Sequence, residues 1–531
     1  MRHNMLSFSD LNYTKGHVMA HIEDSSKWMN CQLFFTAPDV ELREILDVAG
    51  EIYNANPDIE AAILRDQERA AVEKRELRDA DEAWYRARAN GNAPPLFPLR
   101  DAQKAPDRPL GIGCRRMSAL LVFVFLIIRG RWGSVTDQSS QERLRDSMTL
   151  QAFLDAHRLR LPARSTVHEN LNVVSEETLE LILTAEMRLA CDDGLDDFTR
   201  YFLDSTSVAA NSRWPTDSGS LSRVLHRAFH YGQKLEVVGL PAFRKWTMPR
   251  WLRRMRRIDF EINTIAGKPH SARRVAALYR EQVGLADKLI AKLSSELEWV
   301  RAGYDPGQFP PSERVQCDWI LERIAADCRD AGILVCNIED RVFEKVKLES
   351  WQRIPSLSDG SAAFICKGDR TPVVGYRPQV VRSGEGLVVH AHTPEGNAAD
   401  SPQLVECIEA AIRRTDCGPR EVSVDDGYAS GEGREALRKM GVEVVSISGS
   451  KGRKLTPPED WESLAYQRSR NDRSAVESLM FSLKYTVGFG RVRRRGIDAV
   501  RCELLEKAIA FNLARIVVLR QRKEGRLRQA A

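Results

Sequence analysis

The sequence predicts an α/β protein: a mixed sheet with a long helical insertion after its first strand, preceded by a helical N-terminal region. Three observations carry this. Period-two alternation is confined to a few short segments, and one of them, FTRYFLDSTSV (198–208), lies far ahead of the others. From about Pro215 to Pro355 the apolar spacing is helical, as in SARRVAALYREQVGLADKLIAKLSSELEWVRAG (271–303) and VQCDWILERIAADCRDAG (315–332). Beyond it strands and helices alternate, the order that crossover connections produce.

The elements follow in chain order. A helix-like stretch around Val40 to Ala55 precedes a run of alternating charge, Arg65 to Gly91, that fits a solvated helix. Residues 1–100 form a helical region to which no role is assigned, and the Pro-rich segment 92–109 reads as a linker. The apolar run Met117 to Ile128 has 12 residues. A spanning helix needs about 20, so this is a buried core helix. Helical pattern continues to about Cys191, with caps at Ser165 or Thr166 and at Ser175. A helical DNA-binding domain over 101–195 would look like this, and so would ordinary helix packing. The sheet-bearing part spans 196–520, interrupted by the insertion 215–355. Within it, TPVVGYRPQVVR (371–382) and GLVVHAHT (386–393) make a hairpin around a short turn. Asp400 or Ser401 caps a helix with Pro402 in its first turn, ending near Thr415. Strand 421–426, helix 433–441 and strand 442–448 come next. A long helix starts near Asn471, an apolar helix covers Leu504 to Leu519, and a basic tail (521–531) closes the chain.

Length and composition bound the function. With 531 residues, 43% hydrophobic and 29% charged, the chain holds several globular domains, which excludes wholesale disorder and collagen-like or purely coiled-coil architectures. Net charge is only +5, but it is unevenly placed. From Lys484 to the end there are 13 Lys/Arg and 4 Asp/Glu, and Arg244 to Arg257 carries 7 Lys/Arg and no acid. Concentrated positive charge in a near-neutral protein indicates surfaces for phosphate. The N-terminus has no apolar signal region, and no membrane segment is expected. Ten cysteines without a CxxC pair indicate free thiols in a reducing cytoplasm.

Three acids stand at telling places. Asp204 lies mid-strand in FLDSTSV, where an unpaired carboxylate is expensive to bury. Asp425 ends the strand EVSVDD, with a turn beginning at Gly427; Asp426 is the alternative. Glu477 lies within the helix NDRSAVESLMFSLKYTVG. Converging carboxylates repel unless cations lie between them, and Mg²⁺ takes carboxylate oxygens while keeping sites for water and phosphate. Two such ions, about 4 Å apart, clamp the attacking and leaving oxygens of a phosphodiester displacement. On the last helix Arg473, Glu477 and Lys484 are spaced by four and seven and project from one face. An i,i+4 surface pair explains that spacing, as does a metal-binding acid flanked by cations aimed at phosphate. The other two acids favour the second.

These segments together resemble the DDE transposases of bacterial insertion sequences. The first-acid motif stands as LDSTSVAANSRWPTD (203–217), the middle as AFICKGDRTPVVGYRPQVV and TPEGNAADSPQL (393–404), the second-acid motif as Asp425-Asp426-Gly427-Tyr428, and the third as RNDRSAVESLMFSLKYTVGFGRVRRRG (470–496), followed by NLARIVVL (512–519). The family spacing to Gly427 favours Asp425 over Asp426. A subset of the family carries Tyr-x2-Arg-x3-Glu-x6-Lys; Arg473, Glu477 and Lys484 match it, and Arg470 stands where the Tyr would be. The resemblance covers about 117–520. It implies an RNase H-like core in which Asp204, Asp425 and Glu477 hold two Mg²⁺, with Mn²⁺ able to substitute, and Arg473 and Lys484 position phosphate. It implies binding to terminal inverted repeats, cleavage at the element ends and joining of 3′-OH ends to target DNA. A dimer or higher oligomer on DNA, in a prokaryotic cytoplasm with the nucleoid, goes with that. A catalytically inactive transposase-derived DNA-binding protein is the alternative, and an RNase H-like nuclease without strand transfer is a third reading.

For DNA contact the candidates are Arg491, Arg493, Arg494 and Arg495 after the third-acid helix, and Arg253, Arg254, Arg256 and Arg257 in the insertion, where Trp246 and Trp251 interleave with cations. Asp217 and Asp400 are read as helix caps. His226 with His230 is read as a polar or DNA-facing helix surface, and His390 with His392 as structural or DNA-facing, rather than as metal ligands.

Overall fold

The computed structural model describes residues 39–89, 116–133, 136–366 and 371–525. The Pro-rich segment 92–109 and residues 526–531 of the basic tail lie outside the described residues.

Two helices come first, α1 (Val40–Ala55) and α2 (Pro57–Ala89). Asp39 caps α1, its carboxylate accepting from the Leu42 amide at 3.0 Å. The apolar run forms α3 (Ala119–Arg131), in which every residue through Gly130 is buried. Next come α4 (Asp137–Asp146), α5 (Met148–Ala156), α6 (Arg164–Leu171) and α7 (Glu176–Asp192). Ser175 caps α7 as expected, whereas α6 starts earlier than its Ser165 and Thr166 suggested, with Ala163 as an N-cap that offers no side chain.

The sheet begins with β1 (Arg200–Ser205) and β2 (Val208–Ala209). Four long helices follow, α8 (Asp217–Lys234), α9 (Met248–Ile265), α10 (Ala272–Gly303) and α11 (Pro311–Ile338). Then come β3 (Ala363–Ile365), β4 (Val373–Tyr376), β5 (Gln379–Ser383), β6 (Val388–His392), α12 (Gln403–Thr415), β7 (Glu421–Val424), α13 (Gly431–Lys439) and β8 (Val444–Ile447). The chain finishes with α14 (Ser450–Leu455), α15 (Pro458–Glu462), α16 (Leu464–Asp472), α17 (Ser474–Thr486) and α18 (Ile497–Lys523).

The main sheet is mixed and has five strands in the order β6-β5-β1-β7-β8. β1 runs antiparallel to β5 and parallel to β7, and β7 is parallel to β8. A second sheet, β2-β4-β3, has three strands. Two strands expected to be continuous are divided between these sheets. FTRYFLDSTSV ends its pairing in the main sheet at Ser205, after which the Thr206 amide donates to Pro378 O at 3.1 Å and β2 pairs with β4. TPVVGYRPQVVR breaks at Pro378, which has no N–H for the ladder, so β4 and β5 join different sheets. The short β3 was not anticipated.

The hydrophobic cores explain how these parts hold together. α8 to α11 bury their own cluster, including Leu221, Leu225, Leu289, Leu293 and Ile324. The N-terminal helices instead share one continuous core with the main sheet. α18 is the hub, packing on α3, α7 and β6. A Cβ added at Gly130 of α3 would stand 2.3 Å from the Glu506 carbonyl oxygen of α18, so only glycine permits that approach.

One buried acid in this core gives a testable pH dependence. Glu186 of α7 is fully buried, and one oxygen accepts from Asn512 Nδ2 at 3.1 Å. The other oxygen has no hydrogen-bond partner among the described residues. Burial raises its pKa well above the ordinary carboxylate value, against the pull of the Asn512 hydrogen bond and Arg414. A folded-state pKa above the unfolded one means that stability is lost as pH rises from the unfolded value through the folded one. Glu186→Gln is therefore expected to raise the melting temperature, with a gain that grows as pH rises from mildly acidic to neutral. Melting curves of both proteins across that range check it; a constant gain would show that the Glu186 charge is not what costs stability.

Candidate active site

The register of the main sheet brings two of the acids together. β1 and β7 pair in parallel up to Leu203 opposite Val424, so the next residues lie side by side: Asp204, still paired with Val380 of β5, and Asp425, just past the end of β7. Asp204 is buried, with a side chain 7% exposed, and its Oδ1 accepts from the Ser205 amide at 2.7 Å. Asp425 opens a single 3₁₀ turn, its Oδ1 accepting from the Gly427 amide at 2.9 Å. Asp426 points elsewhere: its Oδ1 accepts from the Lys451 and Gly452 amides at 2.8 and 2.9 Å, where it satisfies the open N-terminus of α14. The two adjacent acids of the Asp-Asp-Gly-Tyr motif thus have separate surroundings.

A third carboxylate sits beside them. Asp400, expected to cap α12, does not: that helix has no side-chain cap. Its Oδ1 instead accepts from Gln379 Nε2 at 3.0 Å, and its Oδ2 pairs with Arg377. A Cβ on Gly427 would lie 2.9 Å from Asp400 Oδ2 and 3.0 Å from Asp425 Oδ1, so both carboxylates flank that glycine. Arg377 also donates to Ser205 Oγ at 3.2 Å, which places its charge at the end of β1. Tyr428 is buried in the middle and donates its hydroxyl to Gln379. Burial, and then the neighbouring charges of Asp400, Asp204 and Asp425, hold that hydroxyl protonated well above its ordinary pKa.

Glu477 arrives on α17, which packs on β1. The preceding helix fixes its position. Ser423 Oγ donates to the Ser469 carbonyl at 3.1 Å, Ser446 Oγ bridges to Ser423, and the Tyr466 hydroxyl exchanges hydrogen bonds with Ile447, tying α16 to β7 and β8. The helix expected from near Asn471 is divided at Arg473, between α16 and α17. Arg473 lies between two acids, 3.7 Å from Asp204 Oδ2 and 2.8 Å from Glu477 Oε1. A single planar guanidinium spans them, which leaves roughly 9 Å at most between those carboxylate oxygens. Glu477 itself is 61% exposed. Lys484 is half-buried and lays its stem over Gly490. Arg470, at the family's Tyr position, stacks on Trp461 at 4.8 Å.

The basic candidates divide into exposed and engaged side chains. Arg491, Arg493 and Arg495 are exposed. Arg494 is not available to phosphate: it pairs with buried Glu506 at 2.6 Å. In the insertion Arg253, Arg256 and Arg257 are exposed, whereas Arg254 pairs with Glu261 at 3.1 Å and Glu281 at 2.6 Å. Trp246 is exposed, and its indole N–H donates to Glu296 at 3.1 Å; Trp251 packs against the insertion core. Asp217 pairs with Arg341 at 2.6 Å, and Thr216 caps α8 in its place.

The residues 358–513 match the family described as Transposase DDE domain. Over those residues the chain is similar to a transposase DDE domain. The match includes Asp425 and Glu477 and begins after Asp204. It supports the resemblance to DDE transposases, and the mixed five-stranded sheet is consistent with such a domain. The family implies a metal-dependent transposase activity, with DNA as partner. No curated protein and no solved structure matches the chain. Among the described residues no helix is long and apolar enough to cross a membrane.

The donor chemistry for a divalent cation is present in part. Asp204 and Asp425 offer hard oxygen donors at neighbouring strand ends, the kind Mg²⁺ takes. Glu477 is held off by Arg473, and among the described residues no group of three or more His, Cys, Asp or Glu is arranged to hold a metal ion. The positive charge now compensating Asp204 and Glu477 belongs to the arginine.

Proposed function

We propose that this protein is the DNA transposase of an insertion sequence, with an RNase H-like core that cleaves at the element ends and joins the 3′-OH ends to target DNA. The observation that carries the reading is the adjacency of Asp204 and Asp425 at the ends of two parallel strands, with Glu477 one guanidinium away. Asp204 and Asp425 would hold divalent cations, Mg²⁺ with Mn²⁺ as substitute, and Glu477 would join them when Arg473 turns toward phosphate. Bound there, the two ions would supply an activated water and neutralise charge on the attacking and leaving oxygens.

The chain's own groups do the rest. Arg473, released from its two acids, places a bidentate donor where a phosphate oxygen lies. Lys484 adds a second cation along the same helix. Arg377 and Asp400 fix Ser205 and the end of β1, so Asp204 keeps its orientation as charge builds up. Tyr428 stays neutral and gives Gln379 a proton donor that does not titrate near neutral pH. The helices of 101–195 and the exposed arginines of the insertion (Arg253, Arg256, Arg257) and of the segment after α17 (Arg491, Arg493, Arg495) would contact the terminal repeats and target. Joining two ends in one complex requires at least a dimer on DNA.

The test uses a plasmid carrying the coding sequence with its flanking DNA. The purified protein with Mg²⁺ is expected to nick at the boundaries of that segment and to yield products joined to a second plasmid. Nicking without joining would leave a nuclease. Tight binding to the flanks with no cleavage in Mg²⁺ or Mn²⁺ would establish the inactive, DNA-binding alternative.

A further inference from the structure

Between the helical insertion and the sheet lies a cleft of about 460 Å³, lined by residues that follow the first and third acids together with residues of the insertion. Five arginines line it: Arg213, Arg223, Arg227, Arg491 and Arg495. The rest of the lining is serine, asparagine, proline and leucine, with no carboxylate. Arg227 is neutralised from behind by Asp327, which accepts from it at 2.6 Å and is itself fully buried. Arg213, Arg223, Arg491 and Arg495 form no ion pair among the described residues. Partial burial holds Arg223 below the ordinary arginine pKa; Asp259 opposes this and the charge of Arg213 adds to it. Cations crowded together at the mouth of a cleft without acids raise the local concentration of anions.

Its position relates it to the acids. Arg491 is bridged to Ala209 of β2, and the backbone there is closed on both sides, Ala209 N to Gly490 O and Val492 N to Ala209 O, each at 2.9 Å. Arg495 Nε donates to the Asn211 carbonyl at 3.2 Å. The chain from Asp204 to Ala209 spans at most about 18 Å when fully extended. That corresponds to roughly five base pairs of duplex rise.

We infer that this cleft binds the phosphodiester backbone of duplex DNA within about half a helical turn of the phosphate presented to Asp204 and Asp425. The inference rests on the transposase reading for its DNA and adds a binding surface built jointly by the insertion and the sheet. It makes the insertion part of the DNA-binding surface, because Arg223 and Arg227 come from its first helix, α8, while Arg213 lies just before it and Arg491 and Arg495 follow α17. Neither half makes the cleft alone. Arg213 and Arg223 lie outside both basic runs that stand out in the sequence.

The experiment measures binding of a fluorescein-labelled, mixed-sequence duplex by anisotropy at a series of NaCl concentrations. Wild type is compared with Arg213→Ala/Arg223→Ala, with Arg213→Gln/Arg223→Gln and with Arg213→Lys/Arg223→Lys. Removing one phosphate-binding cation should flatten the log–log salt slope by about 0.9, so the Ala and Gln pairs should flatten it by about 1.8 and weaken binding several-fold. The Lys pair should retain most of the slope. Both side chains are exposed, and agreement between the Ala and Gln pairs separates the missing charge from any failure to fold. Wild-type binding with an unchanged slope in both pairs overturns the cleft while leaving the transposase reading intact. A wild type that binds no duplex overturns that reading and the cleft with it. A slope change seen with an RNA hairpin and not with duplex DNA would assign the cleft to RNA and overturn the inference.

Discussion

Asp204→Asn, Asp425→Asn and Glu477→Gln are each expected to abolish metal-dependent strand cleavage while leaving duplex binding nearly intact. Each change keeps shape and removes one negative charge. Charge stabilisation at a metal-assisted phosphoryl centre is worth several kcal/mol, and each 1.4 kcal/mol is about tenfold, so the loss should be at least about 10³-fold. Glu477→Gln is the sharpest of the three. In the metal-free protein its carboxylate is exposed and held by Arg473, so the substitution should cost little stability. A large loss of cleavage without a loss of folding can then come only from chemistry. Full activity in the Glu477→Gln protein would sink the assignment of the third acid. Asp426→Asn provides the contrast: it weakens the start of α14, a cap effect of about 1 kcal/mol, and should leave cleavage. A dead Asp426→Asn beside a live Asp425→Asn would move the second acid by one position.

The fold and the site were legible to different depths. An acid inside a strand and an acid where a strand meets a turn are local signals, and both Asp204 and Asp425 carried them. Their adjacency is a matter of parallel register between segments on either side of a long insertion, which no local pattern encodes. Asp400 shows how a local rule misleads. Acid, serine and proline ahead of an apolar helix read as a cap, yet its carboxylate is claimed by Arg377, brought to it by the break at Pro378. That break was readable, because proline cannot donate to a ladder. Arg254 and Arg494 stood among the candidates for DNA contact because their partners, Glu281 and Glu506, lie 27 and 12 residues away on other elements. The arginine cleft was invisible for the same reason: its residues come from segments far apart in sequence.

Arg129→Met is expected to destabilise the protein, by less than the roughly 3–5 kcal/mol that a fully unpaired buried charge costs, because Arg494 still pairs with Glu506. Arg129 of α3 donates Nε and Nη2 to the two oxygens of Glu506 on α18, at 2.9 and 2.6 Å. Their side chains are 4% and 1% exposed, so water cannot replace the lost charge. Arg494 still contacts Glu506 but serves only one oxygen. Methionine fills most of the arginine stem's volume, so the effect isolates charge from packing. Removing the carboxylate as well, in Arg129→Met/Glu506→Gln, should recover part of the loss, since Arg494 is 17% exposed and can reach solvent. The form of the transition matters as much as its midpoint. α3 shares one core with the main sheet, and Lys507, one residue beyond Glu506, donates to the Gly488 and Arg491 carbonyls that follow α17. The helices before the sheet, α18 and the segment carrying the basic residues should therefore unfold together. Urea titration followed by the fluorescence of Trp132, beside α3, and of Trp461, beside the sheet, each measured with the other tryptophans replaced by phenylalanine, is expected to give one coincident transition, shifted to lower denaturant in the variant. A Trp132 transition ahead of that of Trp461 would mean that α3 and its neighbours fold as a separate unit, and that the Arg129–Glu506 pair does not couple them to the acids.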